Sequence, residues 1–431
     1  MLAIVAPGQG AQTPGFLSPW LELPGVAEHL AAWSDLAGCD LIRYGTTADA
    51  DEIRDTAIAQ PLLVAAGLVA AEAAFGRLSV SGYADLTAGH SIGELTAGVL
   101  AGVLPAADIM RLVEVRGNAM AAAAAISPTG MTAVLGGDEA EVLAAIDEQG
   151  LTPANVNGAG QIVAAGTMDQ LAAFAANPPA RARLRPLQVA GAFHTRHMTL
   201  AVDALRSAAD GLTAADPAVV LLSNADGAAV HTGADWLTRI INQVSAPVRW
   251  DKCLQSMRHL GVTAIIELPP AGTLTGLARR MLPGVALLAM KLPDQLTDAR
   301  ALTAEHGPGR GGADRGGADG RDGVLHEGGD ADAHHPGADS HSPEWRLLVA
   351  PLAGTFRASN AGNADGPAAG PGTHVSAGTE LGLIEARSDR RPVSPEYSGA
   401  IIEWLVEDGD PVSAGQPIAR LQPETSEQRA V

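Results

Sequence analysis

Cysteine, lysine and long apolar runs are scarce in this chain, and each scarcity narrows what it can be. Its 431 residues hold two cysteines, Cys39 and Cys253. Two thiols so far apart build no disulfide framework and have no metal-ligand spacing, which points to a reducing cytoplasm. Lysine occurs only at Lys252 and Lys291, so nearly all positive charge is arginine, and 48 acidic against 28 basic residues give a formal net charge of −20. An acid excess spread along the chain argues against nucleic acid as a partner. No stretch reaches the roughly 18 uninterrupted apolar residues of a membrane span, so no membrane contact is expected. The start, Met1-Leu-Ala-Ile-Val-Ala-Pro, has no basic segment ahead of its apolar one and reads as a strand rather than a secretory leader. At this length two or three domains fit.

What is present centres on Gly89-His-Ser-Ile-Gly-Glu94, which contains G-x-S-x-G. On a strand-to-helix turn that pattern forces the serine into a strained, exposed position with a helix N-terminus behind it. Residues 83–87 read as the strand, and Ile92, Leu95, Val99, Leu100 and Val103 recur at helical spacing until Pro105. Ser91 is therefore a candidate nucleophile. Residues 2–6 read as a buried parallel strand ending in Pro7-Gly8-Gln9-Gly10, a loop whose glycines allow close backbone approach to a ligand. It is not a phosphate loop, because no Gly-Lys-Ser/Thr follows. Residues 57–75, with Gln60-Pro61 near their start, are apolar nearly all round and predict a fully buried helix.

Pro105 predicts the start of a further helix with Ile109, Leu112, Val113 and Met120 on one face. Arg116 lies on that same face. A guanidinium there either closes an internal salt bridge or receives an anion, and the sequence leaves both open. A carboxylate is the anion it would grip best, because the two can pair bidentately.

From residue 131 the pattern becomes strand 131–135, helix 139–149, strands 153–157 and 161–165, helix 168–176 and strand 184–189. This βαββαβ order is the ferredoxin-like unit, inserted at about 128–190 into a larger body. His194 follows its last strand and stands at a cleft between the two, whereas His197 reads as structural. Strand 219–223, a helix through 236–243, the segment Pro247-Val-Arg-Trp250 and strand 264–268 complete an α/β body with a parallel, doubly wound sheet, hydrolase-like in character.

Residues 305–343 are Gly, Asp, Ala, His and Arg with almost no large apolar side chain, which predicts a flexible linker. Its five histidines, His306, His326, His334, His335 and His341, are irregularly spaced and no metal site is expected. Residues 344–423 repeat themselves: Val349-Ala-Pro351 with Gly354 recurs as Val393-Ser-Pro395 with Gly399, and the Val-Ser-Ala-Gly ending at Gly378 recurs at Gly415. Two similar half-sheets packed face to face are predicted, an all-β unit followed by a tail at 424–431.

Residues 1–304 resemble malonyl-CoA:acyl-carrier-protein transacylases. The resemblance is carried by Gly8-Gln-Gly, Gln60-Pro61, Gly89-His-Ser-Ile-Gly-Glu94, Arg116 with Met120, Asn155-Val-Asn157, Phe193-His-Thr, Ser223-Asn-Ala-Asp-Gly and Gln243 with Pro247-Val-Arg-Trp, all in the family's order. It implies Ser91 as the acylated nucleophile, His194 as general base and acid, and the Gln243 backbone carbonyl as the group orienting His194. It implies the backbone N–H groups of Gln9 and Ile92 as the oxyanion hole and Arg116 as the grip on the free malonyl carboxylate. Gln60, Met120 and Phe193 would line the substrate, Phe193 leaving little room for an α-methyl. The implied substrate is malonyl-CoA, the partner an acyl carrier protein, the setting cytoplasmic, with no bound cofactor or metal. One departure is Pro269-Pro-Ala-Gly where the family has a Gly-Pro-Gly turn, expected to alter a loop rather than the chemistry.

Residues 344–423 resemble a biotinyl/lipoyl carrier domain, a flattened barrel of two quasi-repeated halves. Such carriers present a modifiable lysine at the turn between halves, but here Glu385-Ala386 runs into Arg387-Ser388-Asp389 and no lysine follows Lys291. Covalent biotin or lipoate is therefore excluded. Arg387, Arg390 and Arg391 make that turn a candidate docking module for a carrier protein, synthase or carboxylase component. The competing readings are a serine thioesterase or hydrolase, a transacylase dedicated to polyketide assembly, and a non-catalytic interaction protein.

Overall fold

The computed structural model describes residues 1–308, 346–358, 373–386, 389–395, 398–404, 406, 408–412 and 417–423. They fall into two units, divided between residues 319 and 320. In the first unit β1 (Leu2–Ala6) leads through α1 (Val26–Ala37), α2 (Leu41–Thr46) and α3 (Thr56–Phe75) to β2 (Leu86–Gly89), α4 (Gly93–Leu100) and α5 (Ala106–Ala124). There follow β3 (Thr129–Gly136), α6 (Glu139–Glu148), β4 (Thr152–Gly158), β5 (Gln161–Thr167), α7 (Met168–Ala176) and β6 (Ala182–Pro186). The chain returns through α8 (Thr199–Ala209), β7 (Val220–Leu222), β8 (Ala229–Val230), α9 (Gly233–Gln243), β9 (Val248–Arg249), α10 (Trp250–Leu260), β10 (Ala264–Glu267), α11 (Thr273–Met281), β11 (Ala286–Ala289) and α12 (Leu296–His306).

The large sheet has the order β11-β10-β1-β2-β7-β8 and is parallel except for its edge strand β8. β1 is buried along its whole length, as a strand covered on both faces by helices must be. Helix α3 is buried continuously from Ala59 to Ala71. By length and composition it could cross a membrane, but 83% of its apolar window is buried, so here it is a core helix. Its burial against α5 places Gln60 beside Arg116.

The inserted sheet has the order β6-β3-β5-β4-β9. Its first four strands pair antiparallel in the arrangement of a ferredoxin-like unit. The fifth, β9, comes from the Pro247-Val-Arg-Trp segment of the larger body and pairs parallel with β4, an anchoring that the sequence pattern did not reveal.

Several boundaries differ from the sequence expectation: β6 ends at Pro186 and not at 189, so His194 does not follow directly from a strand, and three others have a local cause. β2 begins at Leu86 because Tyr83 and Ala84 are held in a turn by the carbonyl of Val80. Helix α4 stops at Leu100, since Gly102 takes a positive φ of 80° and reverses the chain before Pro105. Helix α12 runs to His306, whose Nδ1 meets the Thr263 hydroxyl at 2.9 Å, so residues 305 and 306 are helix and not linker. The remaining linker histidines lie outside the described residues. At the Pro269-Pro-Ala-Gly departure the buried Glu267 carboxylate accepts the N–H groups of Gly272, Leu274 and Thr275 within 2.9 Å, tying the loop to the start of α11.

The second unit contains β12 (Arg346–Val349), β13 (Gly354–Ala358), β14 (His374–Val375), β15 (Gly382–Glu385), β16 (Arg390–Val393), β17 (Gly399–Trp404), β18 (Pro411–Val412) and β19 (Pro417–Pro423). These form two four-stranded antiparallel sheets, β12-β19-β17-β14 and β16-β15-β13-β18, over one core that includes Phe356, Ile384, Ile401 and Ile418. The expected half-sheets are not segregated: each sheet takes two strands from each sequence half. The pairing still obeys the repeat, because replacing β12–β15 by β16–β19 and the reverse turns each pairing into another that is present. Interlocking follows from that two-fold exchange, since the last strand of each half pairs with the first of the other. Arg390 and Arg391 are ion-paired to Glu385 and Asp389 at 3.0 Å, so of the expected arginine cluster these two are satisfied within their own turn. Arg387 lies outside the described residues.

The turn after β2 tolerates no added atom. A Cβ on Gly89 would come 1.9 Å from the Gly93 carbonyl carbon and 2.3 Å from the Glu94 nitrogen. Gly89→Ala should lower stability by about 3 kcal/mol or more in urea unfolding. Gly276→Ala, where a Cβ in α11 meets nothing within 4 Å, should raise it by up to about 1 kcal/mol. Equal effects at the two sites would contradict the packing described.

Candidate active site

Ser91 sits between β2 and α4 with φ 53°, a left-handed conformation that a residue other than glycine adopts only when its surroundings impose it. Asn224, after β7, imposes it. Its Oδ1 accepts the Ser91 N–H at 2.7 Å and its Nδ2 donates to the Gly89 carbonyl at 2.7 Å, so one side chain spans the turn. The Ser91 N–H is thereby committed. The next donor, Ile92 N–H, stands at the first turn of α4, where backbone donors lack intrahelical partners. Gln9 lies in the loop after β1, which runs against the elbow: a Cβ on Gly8 would come 2.9 Å from His90 Nδ1 and 3.0 Å from the His90 carbonyl oxygen.

His194 also takes a left-handed backbone, φ 60°, with its N–H on the Val244 carbonyl at 3.0 Å. Its Nδ1 meets the Gln243 carbonyl oxygen at 2.8 Å and its Nε2 meets Ser91 Oγ at 2.7 Å. A carbonyl only accepts, so Nδ1 carries the proton and Nε2 presents a lone pair to the Ser91 hydroxyl. Burial, and after it the charge of Arg116, pushes the imidazole down from 6.5 to about 3, so it is neutral throughout the physiological range. Phe193, the preceding residue, is buried in the core.

Arg116 is 1% exposed. One guanidinium nitrogen donates to Gln60 Oε1, and the other donates to Gln243 Oε1 at 2.9 Å and lies 3.5 Å from Ser91 Oγ. Its Nε has no hydrogen-bond partner among the described residues. Of the two readings left open by the sequence, the internal salt bridge is not formed: both fixed contacts are neutral amide oxygens. Burial lowers its pKa to about 9, with Glu94 acting in the opposite direction, and the group stays charged at neutral pH. The Gln60 amide nitrogen in turn points to Met120 Sδ at 3.4 Å.

Sequence reasoning assigned no part to three of the groups that hold this arrangement. Asn224 and Asn157 belonged to recognisable segments but had no role. Asn157 Oδ1 meets His90 Nε2 at 2.9 Å, and the His90 ring lies edge-on to Trp250 at 5.9 Å, joining the elbow to strand β4. Gln243 was credited with its backbone carbonyl alone, although its side chain touches Arg116, Glu94, Ser91 and Asn224. The available signal was a carboxylate, Glu94, between Gly93 and Leu95 on a helix buried from end to end. Among the described residues no three His, Cys, Asp or Glu side chains cluster as metal ligands do.

An elbow serine, a histidine at hydrogen-bond distance and a buried guanidinium 3.5 Å from the serine Oγ are the features of a serine acyl-transfer site. The acyl transferase domain family matches residues 5–289. A malonyl CoA-acyl carrier protein transacylase of Mycobacterium tuberculosis is 52% identical over 302 residues, 70% of this chain and all of the relative. One of Escherichia coli is 33% identical over 307 residues, 70% of this chain and 99% of the relative. The crystal structure of the Mycobacterium tuberculosis enzyme has a TM-score of 0.68 at 51% identity, covering 70% of this chain and 99% of that one. A malonyl-transacylase solved with its type II polyketide acyl-carrier protein has a TM-score of 0.64 at 30% identity, covering 70% and 99%. This chain belongs to the malonyl-CoA:acyl-carrier-protein transacylase family.

A depressed histidine pKa gives stability that is complete above about 6.5 and is lost as pH falls toward 3. For the same reason kcat/KM for acylation, which reports free-enzyme groups, should show no acid limb near 6.5. Arg116→Ala removes the second cause and should move the limb upward. A wild-type limb at 6.5, unmoved by the substitution, would contradict the electrostatics described.

Proposed function

We propose that the chain transfers the malonyl group from malonyl-CoA to the phosphopantetheine thiol of an acyl carrier protein, through a malonyl-Ser91 ester in a ping-pong cycle. Its relatives carry that activity in their names, and the observation that fits this acyl group is Arg116, charged, buried and 3.5 Å from Ser91 Oγ. The Ser91 proton passes to His194 Nε2 as Oγ attacks the thioester carbonyl. The oxyanion is received by the N–H groups of Gln9 and Ile92, each such donor contributing about 3 kcal/mol. His194 returns the proton to the departing CoA sulfur; in the second half it takes the proton of the carrier's thiol as that sulfur attacks the ester carbonyl, and gives it to Ser91 Oγ as the ester bond breaks. The malonyl carboxylate lies on Arg116, with Gln60, Met120 and Phe193 around the acyl group and Phe193 disfavouring an α-methyl.

In this reading residues 1–306 form the catalytic domain, with the small subdomain at about 128–190. Residues 344–423 form an unmodified biotinyl/lipoyl-like domain. The enzyme works in the cytoplasm and supplies fatty-acid synthesis. Service to a polyketide carrier is the second reading, favoured by the neighbouring structure that holds a type II polyketide carrier protein.

Single-turnover acylation by malonyl-CoA, followed by buffer or by carrier protein, separates transferase from hydrolase. The acyl-enzyme should persist in buffer and discharge on the carrier, and Ser91→Ala should form none. Rapid loss in buffer would make the chain a hydrolase. Arg116→Ala should weaken malonyl transfer by about 3 kcal/mol, roughly 150-fold, and acetyl transfer far less. Equal losses would remove Arg116 from the selectivity role.

A further inference from the structure

Glu94 is the buried ionisable group that the cycle above leaves without a task. It is 1% exposed, near the start of α4, and its Oε1 has no hydrogen-bond partner among the described residues. Its Oε2 accepts the Asn224 N–H at 3.1 Å and the Gln243 amide nitrogen at 2.7 Å. An isolated carboxylate in such a place is costly, and burial raises its pKa to about 7. A glutamate kept there has an effect that a leucine of similar volume would not supply.

That effect is legible in the two ends of the Gln243 amide. The nitrogen faces acceptors only: Glu94 Oε2 at 2.7 Å, the Ser91 carbonyl at 3.1 Å and Asn224 Oδ1 at 3.3 Å. The oxygen faces a donor, Arg116, at 2.9 Å. Turning the amide over would set its nitrogen against the guanidinium and its oxygen against three oxygens. Glu94 makes the shortest of the three contacts and is the one acceptor able to carry a full charge, so it contributes most to keeping the amide this way round.

We propose that Glu94 is a positioning residue that fixes the orientation of the Gln243 amide and thereby aims Arg116 at the malonyl carboxylate. The proposal rests on the reading of Arg116 as the carboxylate grip. Its chemical sense lies in placing the negative charge one amide away. A carboxylate touching Arg116 would neutralise it and compete with the substrate. An amide oxygen holds the guanidinium in place without cancelling its charge, while the glutamate behind the amide still offsets part of the cost of burying that charge. Gln243 thus carries two loads: its backbone carbonyl orients His194 and its side chain orients Arg116.

The test compares malonyl-CoA with acetyl-CoA in single-turnover acylation of the full chain bearing Glu94→Gln, Glu94→Leu, Gln243→Leu, the Glu94→Leu/Gln243→Leu pair, or Arg116→Ala. Glu94→Leu should lower the malonyl-to-acetyl ratio of kcat/KM about 30-fold, the size expected of a buried hydrogen bond to a charged group. Glu94→Gln, whose amide oxygen can still accept from Gln243 and Asn224, should bring the ratio back to within about threefold of the native value. The double variant should discriminate no worse than Gln243→Leu alone, because Glu94 acts through Gln243. Equal damage from Glu94→Gln and Glu94→Leu, additive losses in the pair, or an unchanged ratio would overturn the proposal. If Glu94→Leu does not fold, Glu94→Met takes its place, with the same loss expected and an unchanged ratio overturning the proposal. Loss of discrimination in Arg116→Ala but not in Glu94→Leu sinks the Glu94 role and leaves the grip. An unchanged ratio in Arg116→Ala removes the grip and Glu94's role with it.

Discussion

A guanidinium held charged in the protein interior by neutral amides is the constraint to which the rest of the site conforms. Desolvating Arg116 is unfavourable by several kcal/mol unless fixed dipoles replace its water. The replacements come from α3 through Gln60 and from α9 through Gln243. Those two helices lie far apart in sequence, so the all-round burial of α3 and its packing against α5 are preconditions of the chemistry as well as of the core. Burial keeps the base, His194, neutral, and the buried cation beside the serine acts in the same direction.

Two strained backbones, at Ser91 and His194, are the second cost, of order 1–3 kcal/mol each. Both are fixed by groups outside their own segments: Asn224 grips the elbow from either side, and the Val244 and Gln243 carbonyls hold His194 by its backbone and its ring. The segment from Ser223 to Arg249 thus supports the nucleophile, the base and the guanidinium together, and through β9 it also anchors the inserted sheet. A rigid pocket results from partners shared between elements rather than from any one element's stability.

The Ser91 turn, Arg116 and the βαββαβ insert were legible in the sequence because each is written locally: a Gly-spaced turn, an arginine on an apolar helix face, an alternation of periods; the role expected of His194 came only from the family resemblance. Contacts between segments with no shared period were not legible. Val248 and Arg249 make a strand only by pairing with β4, and Gln243 faces Arg116 only because the end of α9 comes within side-chain reach of α5. In the C-terminal unit the repeat was visible, but not how its halves interlock, since sequence similarity fixes the symmetry of the pairings and not which partner each strand takes. Arg390 looked free in the sequence because only the β15–β16 pairing sets Glu385 opposite it, whereas Asp389, the partner of Arg391, was already two residues away.

The central claim is that the Arg116 charge is reserved for the second carboxylate of the acyl group. A crystal structure of the malonyl-Ser91 ester tests it most directly. The account predicts that the free carboxylate contacts the Arg116 guanidinium while Gln60 and Gln243 keep their amide oxygens on it. A carboxylate turned to solvent, or seated on another donor with Arg116 unchanged, would contradict the account.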